Sequence, residues 1–383
     1  MPGLILFLFF SFCTGLIIFS QESIPDKEAF RFEASYIGEN LNNLSGGIKT
    51  GSTYLGMANI RLSFNTGSAG LWKGGEFFIN SANTHGASPS GELTGDFQVA
   101  SNIEAGNHTY IQELSFKQAI GPLELTAGLQ DLNVEFLTSE HAGLYLNSSF
   151  GVIPTISGNI PTPIFPLTAL GLSLNWQIAE QSSWLAAIYD GHPTDFEDNN
   201  PYNLRWKLNR EDGILAISEF QQSTGSGKLP GTYKLGLFVH PNHLIVGEVA
   251  EEPDTLYENN YGIYIIADQM LWRMSGNNKG LGIFFQLGLT PKKFNFNHYY
   301  TGAGLNFYGL LEMHGADMLG LAIAHAGIAE EARSETTLEL TYQLPLTKNI
   351  FIQPDFQYLI NPSGTGEELE NSFTATLRFG ISF

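Results

Sequence analysis

Polar side chains with hydrogen-bonding capacity recur at every second position along much of this chain. Arg31 and Glu33 alternate with Phe30, Phe32 and Ala34, and Asn59 and Arg61 with Ala58, Ile60 and Leu62. Gln353, Asp355 and Gln357 follow the same rule late in the chain, and Arg378 sits between Leu377 and Phe379. Glu113 and Lys117 share the parity of a fifth such segment. A period of two places all members of such a set on one face of a strand. Guanidinium, ammonium, carboxylate and amide groups in a row can exchange hydrogen bonds with one another, with water or with hydroxylated solutes. That chemistry is reversible and needs no covalent step. Covalent catalysis has no comparable support. G-x-S-x-G and H-E-x-x-H do not occur, the nine histidines are scattered, and the glycine-rich stretches lack phosphate-loop spacing. Gly225-Ser226-Gly227, Glu330-Glu331 and Glu367-Glu368 read as loop residues. No catalytic residue, metal ligand set or cofactor is predicted, and the chain is not expected to be an enzyme.

The elements that must hold these rows are strands. The last twelve residues, SFTATLRFGISF, carry Phe373, Ala375, Leu377, Phe379, Ile381 and Phe383 on one face and Thr374, Thr376, Arg378, Gly380 and Ser382 on the other. The same alternation recurs at Leu123–Leu129, Leu170–Ile178 and Leu338–Leu344, while apolar spacings of three and four are scarce. Thr138–Leu146 is the one stretch that reads as a short helix or turn. A two-faced strand that stops on a terminal Phe fits an outer-membrane barrel, whose last strand pairs with its first to remove the open edge. The alternative is the last strand of a soluble sandwich. Sixteen or seventeen strands can be counted, and because bacterial outer-membrane barrels as a rule have an even number, the fold expected is an all-β transmembrane antiparallel barrel of sixteen strands.

Composition agrees. Charged residues make up only 15% of 383 residues, below the proportion usual in soluble domains, yet the formal net charge is −20. So acidic a chain is a poor nucleic-acid binder, and no nucleic-acid partner is expected. Cys13 is the single cysteine, which excludes an intrachain disulfide and a cysteine-based zinc site. Residues 1–20 contain the apolar run Leu4–Ser20 followed by polar QESIPDKE and read as a signal peptide, though without a basic residue at the start. Residues 21–29 read as a linker and 30–383 as the barrel domain. Beyond residue 20 no apolar stretch is long enough for a membrane helix, so membrane residence would have to be as a barrel.

Three stretches interrupt the strand pattern. Asp131–Pro166 holds Pro154, Pro161, Pro163 and Pro166 and reads as a long loop, either folded inward or extracellular. Asp190–Pro201 is acidic but lacks EF-hand spacing, so a solvated loop is expected there and calcium only with suitable geometry. Pro354, unable to donate a ladder bond, predicts either a local irregularity that re-aims Asp355 and Gln357 or the start of a strand.

The wording of the chain is familiar in several places. IQPDFQYLINP at 352–362 is the most specific, with ETTLELTY at 335–342, the closing LRFGISF, GLQDLNVEF at 128–136, YLNSSF at 145–150, Ser101-Asn102-Ile103-Glu104 and GAGLNFYG at 302–309. In this order they resemble the carbohydrate-selective porin family, OprB, over roughly residues 36–383. The resemblance implies a sixteen-stranded bacterial outer-membrane barrel that passes sugars and other small hydrophilic solutes passively. Its partners would be carbohydrate solutes, outer-membrane lipid and the barrel-insertion machinery, which would read the strand ending in Phe383. It also implies that Asp131, Asn133 and Glu135, on the family's D-x-N-x-x-F element, anchor an inward loop. In such a barrel, parity turns Arg31, Glu33, Arg61, Glu113, Lys117, Asp355, Gln357 and Arg378 toward the lumen. Arg61 and Arg378, set against Glu33, Glu113 or Asp355, would make an eyelet of mixed charge suited to neutral polyols. The alternatives are a general or cation-preferring porin with an acidic lumen and, in a different class, a soluble periplasmic glycan-binding β-protein.

Overall fold

The computed structural model describes residues 28–383 except 194–195, 197–199, 209–211, 225–228, 246–255, 275–278, 312–316 and 329–333. The expected signal peptide lies outside the described residues, as do Asp195, Glu197 and Asp198 of the acidic loop.

Alternating apolar and polar residues become sixteen strands: β1 (Phe30–Gly47), β2 (Gly51–Asn65), β3 (Gly75–Gly86), β4 (His108–Ile120), β5 (Leu123–Gln130), β6 (Ala169–Ala179), β7 (Ser182–Asp190), β8 (Ile214–Ser223), β9 (Gly231–Ile245), β10 (Leu256–Arg273), β11 (Gly280–Leu289), β12 (Asn297–Tyr308), β13 (Met318–Ile328), β14 (Glu335–Pro345), β15 (Ile350–Ile360) and β16 (Glu370–Ser382). Each pairs antiparallel with its neighbours in sequence, and β16 pairs with β1, so the sheet closes. At this seam Tyr36 faces Ile381, Glu39 faces Arg378, and the Phe383 N–H donates to Ala34 O at 2.8 Å. Closure leaves no edge to be satisfied by solvent or by another chain.

The barrel is inside out relative to a soluble protein. On β14, Leu338 and Leu340 are 41% and 43% exposed, whereas the alternating Glu339 and Thr341 are each 1% exposed. Phe356 and Tyr358 point outward on β15 while Gln353, Asp355 and Gln357 are buried inside. Water would penalise that exterior; hydrocarbon does not. A soluble sandwich would bury the leucines and expose the carboxylates, so the soluble alternative does not fit.

Two rims differ. The rim that carries the chain ends has tight turns at 121–122 and 180–181, and the opposite rim carries the long connections 87–107, 131–168 and 191–213. Both 87–107 and 131–168 fold into the lumen. The proline-rich connection forms 3-10 turns at Leu132–Val134, Ala142–Leu144 and Ser148–Phe150 and one α-helical turn, α1 (Pro154–Ser157). Pro154 opens α1, where its missing N–H removes no helix bond.

Pro354 lies in the middle of β15 rather than at its start. The register is unbroken through it: Pro354 faces Leu377, and on the β14 side the pairs Thr341–Asp355 and Leu344–Ile352 keep one register with a gap between them. The irregularity is thus a lapse in the ladder where a donor is missing, not a bulge, and Asp355 and Gln357 keep the parity of the strand.

Candidate functional site

One wall of the lumen is dry. Leu185, Ala187, Leu215, Ile217, Phe238, Ile266 and Phe284 face inward, and Leu132, Phe136, Leu137, Tyr145, Phe150, Ile153 and Ile156 of the 131–168 connection pack onto them. Two inward-facing glycines permit this approach. A Cβ on Gly282 would lie 2.6 Å from the His141 ring, and one on Gly320 2.8 Å from the Tyr145 hydroxyl.

Polar wall residues then fix the loop by its backbone. Glu219 accepts from Leu137 N–H at 3.0 Å, Asp268 from His141 N–H at 3.0 Å, and Glu339 from Leu146 and Asn147 N–H at 2.5 and 3.1 Å. Gln286 and Gln353 donate to the Phe150 and Leu144 carbonyls, both at 2.8 Å. The 87–107 connection is held likewise: Glu335 accepts from Phe97 and Gln98 N–H at 2.8 and 2.9 Å, and Gln357 donates to Ala100 O at 2.8 Å. A carboxylate that accepts two adjacent backbone N–H groups satisfies donors that a loop inside a barrel could not give to bulk water.

The two ends of the 131–168 loop meet at Asp131. One carboxylate oxygen accepts from Asn133 N–H at 2.9 Å, capping the first turn; the other accepts from Phe165 N–H at 3.0 Å and Gln112 Nε2 at 3.3 Å. Asn133 Nδ2 donates to Phe136 O and Gly151 O at 3.1 and 3.3 Å. Glu135 is placed differently. Its Oε2 is buried without a hydrogen-bond partner, near Lys117, and burial pushes its pKa up against the pull of that ammonium. Burial also raises the Asp131 carboxyl to about 6.

Between this loop and the wall of β2–β4 an open pocket of about 120 Å³ remains, the candidate passage, bounded by Met57, Asn59 and Arg61 of β2, Gln112 of β4, Asn102 of the 87–107 connection, and Asp131, Asn133, Tyr145, Ser148 and Phe165 of the loop. Its polar wall is built by register. Arg61 faces Asn80, and Asn80 faces Glu113, across three consecutive strands. The ladder shifts between Asn80 and Ser81, and this bulge inserts Gln112, so Gln112 and Glu113 are both buried inside. Asn80 Nδ2 lies 3.3 Å from an oxygen of each. Arg61 Nε is buried without a hydrogen-bond partner.

The predicted residues therefore fall into three groups. Arg61, Glu113, Asp131 and Asn133 are gathered at or beside the passage. Arg31 pairs with Glu33 near the start of β1, and Lys117 pairs with Glu124 at 2.9 Å with Glu135 nearby, all away from the passage lining. Asp355, Gln357 and Arg378 face inward as parity requires but lie behind the loops, 0%, 0% and 3% exposed. Glu39, Asn102 and Gln112 were not among the predicted residues. Glu39 lies eight residues after Arg31 and six after Glu33 on β1, with the same parity, so extending that alternation would have found it. Asn102 lies in a connection with no periodicity, and Gln112 is hidden by the bulge.

A closed sixteen-stranded barrel with an apolar exterior, a polar interior and a passage narrowed by infolded connections is an outer-membrane porin. The carbohydrate-selective porin family, OprB, matches residues 49–383, and the chain belongs to that family. Porin B of Pseudomonas aeruginosa is 21% identical over 410 residues, covering 93% of this chain and 88% of that protein. Among solved structures, the high-pH structure of Pseudomonas putida OprB superposes with a TM-score of 0.82 at 19% identity, covering 93% of this chain and 94% of that one. A loop-deletion form of OmpT from Vibrio cholerae shares the fold more distantly, with a TM-score of 0.56 at 10% identity and coverages of 93% and 100%. Porins of this family are channels of the bacterial outer membrane for sugars and other small hydrophilic solutes.

Proposed function

We propose that sugars cross through the space between the 131–168 loop and β2–β4, and that Asn59, Arg61, Asn102, Gln112 and Asn133 supply the solute contacts. The observation that carries this reading is the lining itself, where the amides of Asn59, Asn102, Gln112 and Asn133 and the guanidinium of Arg61 come together beside the Phe165 ring. Amides offer a donor and an acceptor each, matching a hydroxyl, while rings suit the apolar face of a pyranose. Transport needs contacts strong enough to admit the solute and weak enough to release it, and single neutral hydrogen bonds fall in that range. In this reading Asp355, Gln357 and Arg378 act from behind the loops, and Arg31, Glu33 and Lys117 set the field near the chain-end rim. Asp131 and Asn133 anchor the loop, and Glu135 contributes charge beside Lys117. The exterior is solvated by outer-membrane lipid, residues 1–20 direct export, residues 30–383 form the barrel domain after a linker at 21–29, and the strand ending in Phe383 is read by the insertion machinery. No catalytic step is assigned to any residue.

A cation-preferring porin is the second reading, favoured by Asp131 and Glu113 beside the passage and by the net charge of −20. Swelling of vesicles containing the purified protein separates the two. Neutral monosaccharides should enter faster than anionic or cationic solutes of equal size; faster entry of cations than of sugars would favour the second reading.

A further inference from the structure

Arg378 and Glu39 sit opposite each other on the last and first strands, at the seam where the barrel closes. Both are buried, at 3% and 0% exposure. Arg378 Nε donates to Glu39 Oε1, and its Nη2 completes the ion pair and also donates to Asn102 Oδ1 at 2.5 Å. The other oxygen of Glu39 accepts from Ser101 Oγ at 2.7 Å. The seam pair therefore grips two successive residues of the 87–107 connection, one through each charge. With its oxygen held by Arg378, the Asn102 amide must present its NH2 group elsewhere, and Nδ2 donates to Tyr145 O at 3.2 Å. The Asn102 N–H donates to Leu146 O at 2.8 Å, and Ser148 N–H donates to Val99 O at 2.9 Å. Asn102 thus rivets one infolded connection to the other, and Asn102, Tyr145 and Ser148 all border the passage.

We propose that Glu39 and Arg378 are positioning residues: through Ser101 and Asn102 they set the spacing of the two infolded connections, so the width of the passage depends on closure of the β1–β16 seam. A lysine at 378 would keep the charge but not the fork. Its ammonium would lose the Nε bond to Glu39 and the fixed plane that aims Nη2 at Asn102. The inference rests on the porin reading only in that the passage conducts, so its readout is ion current rather than sugar transport.

The test compares single-channel KCl conductance of the full-length protein with Arg378→Lys, Asn102→Ala, Ser101→Ala and the Arg378→Lys/Asn102→Ala double variant. Each barrel is first checked for heat-modifiable migration. The expected result is that Arg378→Lys and Asn102→Ala change the conductance and open-channel noise in the same direction. The double variant should add nothing beyond the larger single effect, because both changes break one chain of contacts. Ser101→Ala, which leaves the ion pair intact, should move the same readout less, and it keeps the proposal testable if Arg378→Lys does not fold. Wild-type conductance and noise in Asn102→Ala and Ser101→Ala, or full additivity in the double variant, would overturn it. Loss of sugar effects on the wild-type current would count against the carbohydrate reading and leave this comparison intact.

Discussion

At the passage, a cation and an acid face a wall of amides, and their protonation decides what the solute meets. Arg61 brings a guanidinium whose Nε is buried without a hydrogen-bond partner. Asp131 is not always charged, because burial raises its carboxyl to about 6. The carboxyl is neutral below that pH and carries −1 above it, so the passage becomes more cation-attracting as pH rises through about 6. The reversal potential in a KCl gradient should shift toward cation preference over that range, and Asp131→Asn should flatten the pH dependence. An equal shift in the variant would show that another group titrates. Arg61→Ala should move the same potential toward cations at all pH values, since it removes a fixed positive charge. How far these residues were legible depends on what determines their place. Arg61 and Glu113 follow from parity alone, because a side chain on an inward face stays there whatever its neighbours do. Gln112 was hidden because one inserted residue reverses parity locally, and alternation carries no mark of the insertion.

Among the elements, the 131–168 connection shows why an infolded loop is hard to read from its own residues. Its prolines exclude it from the sheet, but whether it turns inward depends on partners remote in sequence. Glu219, Asp268 and Glu339 meet its amides, and Gly282 and Gly320 leave room for His141 and Tyr145. The same non-locality placed Asp355, Gln357 and Arg378 behind the infolded connections, although their inward direction was readable. The glycines give a direct probe. Gly282→Leu or Gly320→Leu keeps the strand backbone but overfills the contact, at a cost of about 1–3 kcal/mol to loop docking. Wider channels with larger conductance are expected, together with protease cleavage inside 131–168 in the intact barrel. Unchanged conductance and an uncut loop would mean that the dry wall does not fix it. Asn133→Ala, which removes two bonds to loop carbonyls, should weaken docking in the same assays by about 1–3 kcal/mol.

For the whole molecule, the decisive property is the inversion of inside and outside, and it was written in the chain from end to end. Alternation cannot say which face is wet; closure of the sheet with its leucines outside decides it. The structure closes that sheet and leaves Leu338, Leu340 and Leu377 exposed. Leu340→Arg, at the middle of β14, should destabilise the barrel in lipid by about 2–4 kcal/mol, read from urea unfolding in vesicles. A near-zero cost would contradict a hydrocarbon-facing β14.

The central claim is that the passage admits neutral sugars through reversible hydrogen bonds. The most direct measurement is single-channel current through the purified protein in a planar bilayer as neutral sugar is added. The account predicts a saturable fall in ion current that weakens in Asn102→Ala and Arg61→Ala. A current unaffected by sugar, carried with K⁺ strongly ahead of Cl⁻, would contradict it.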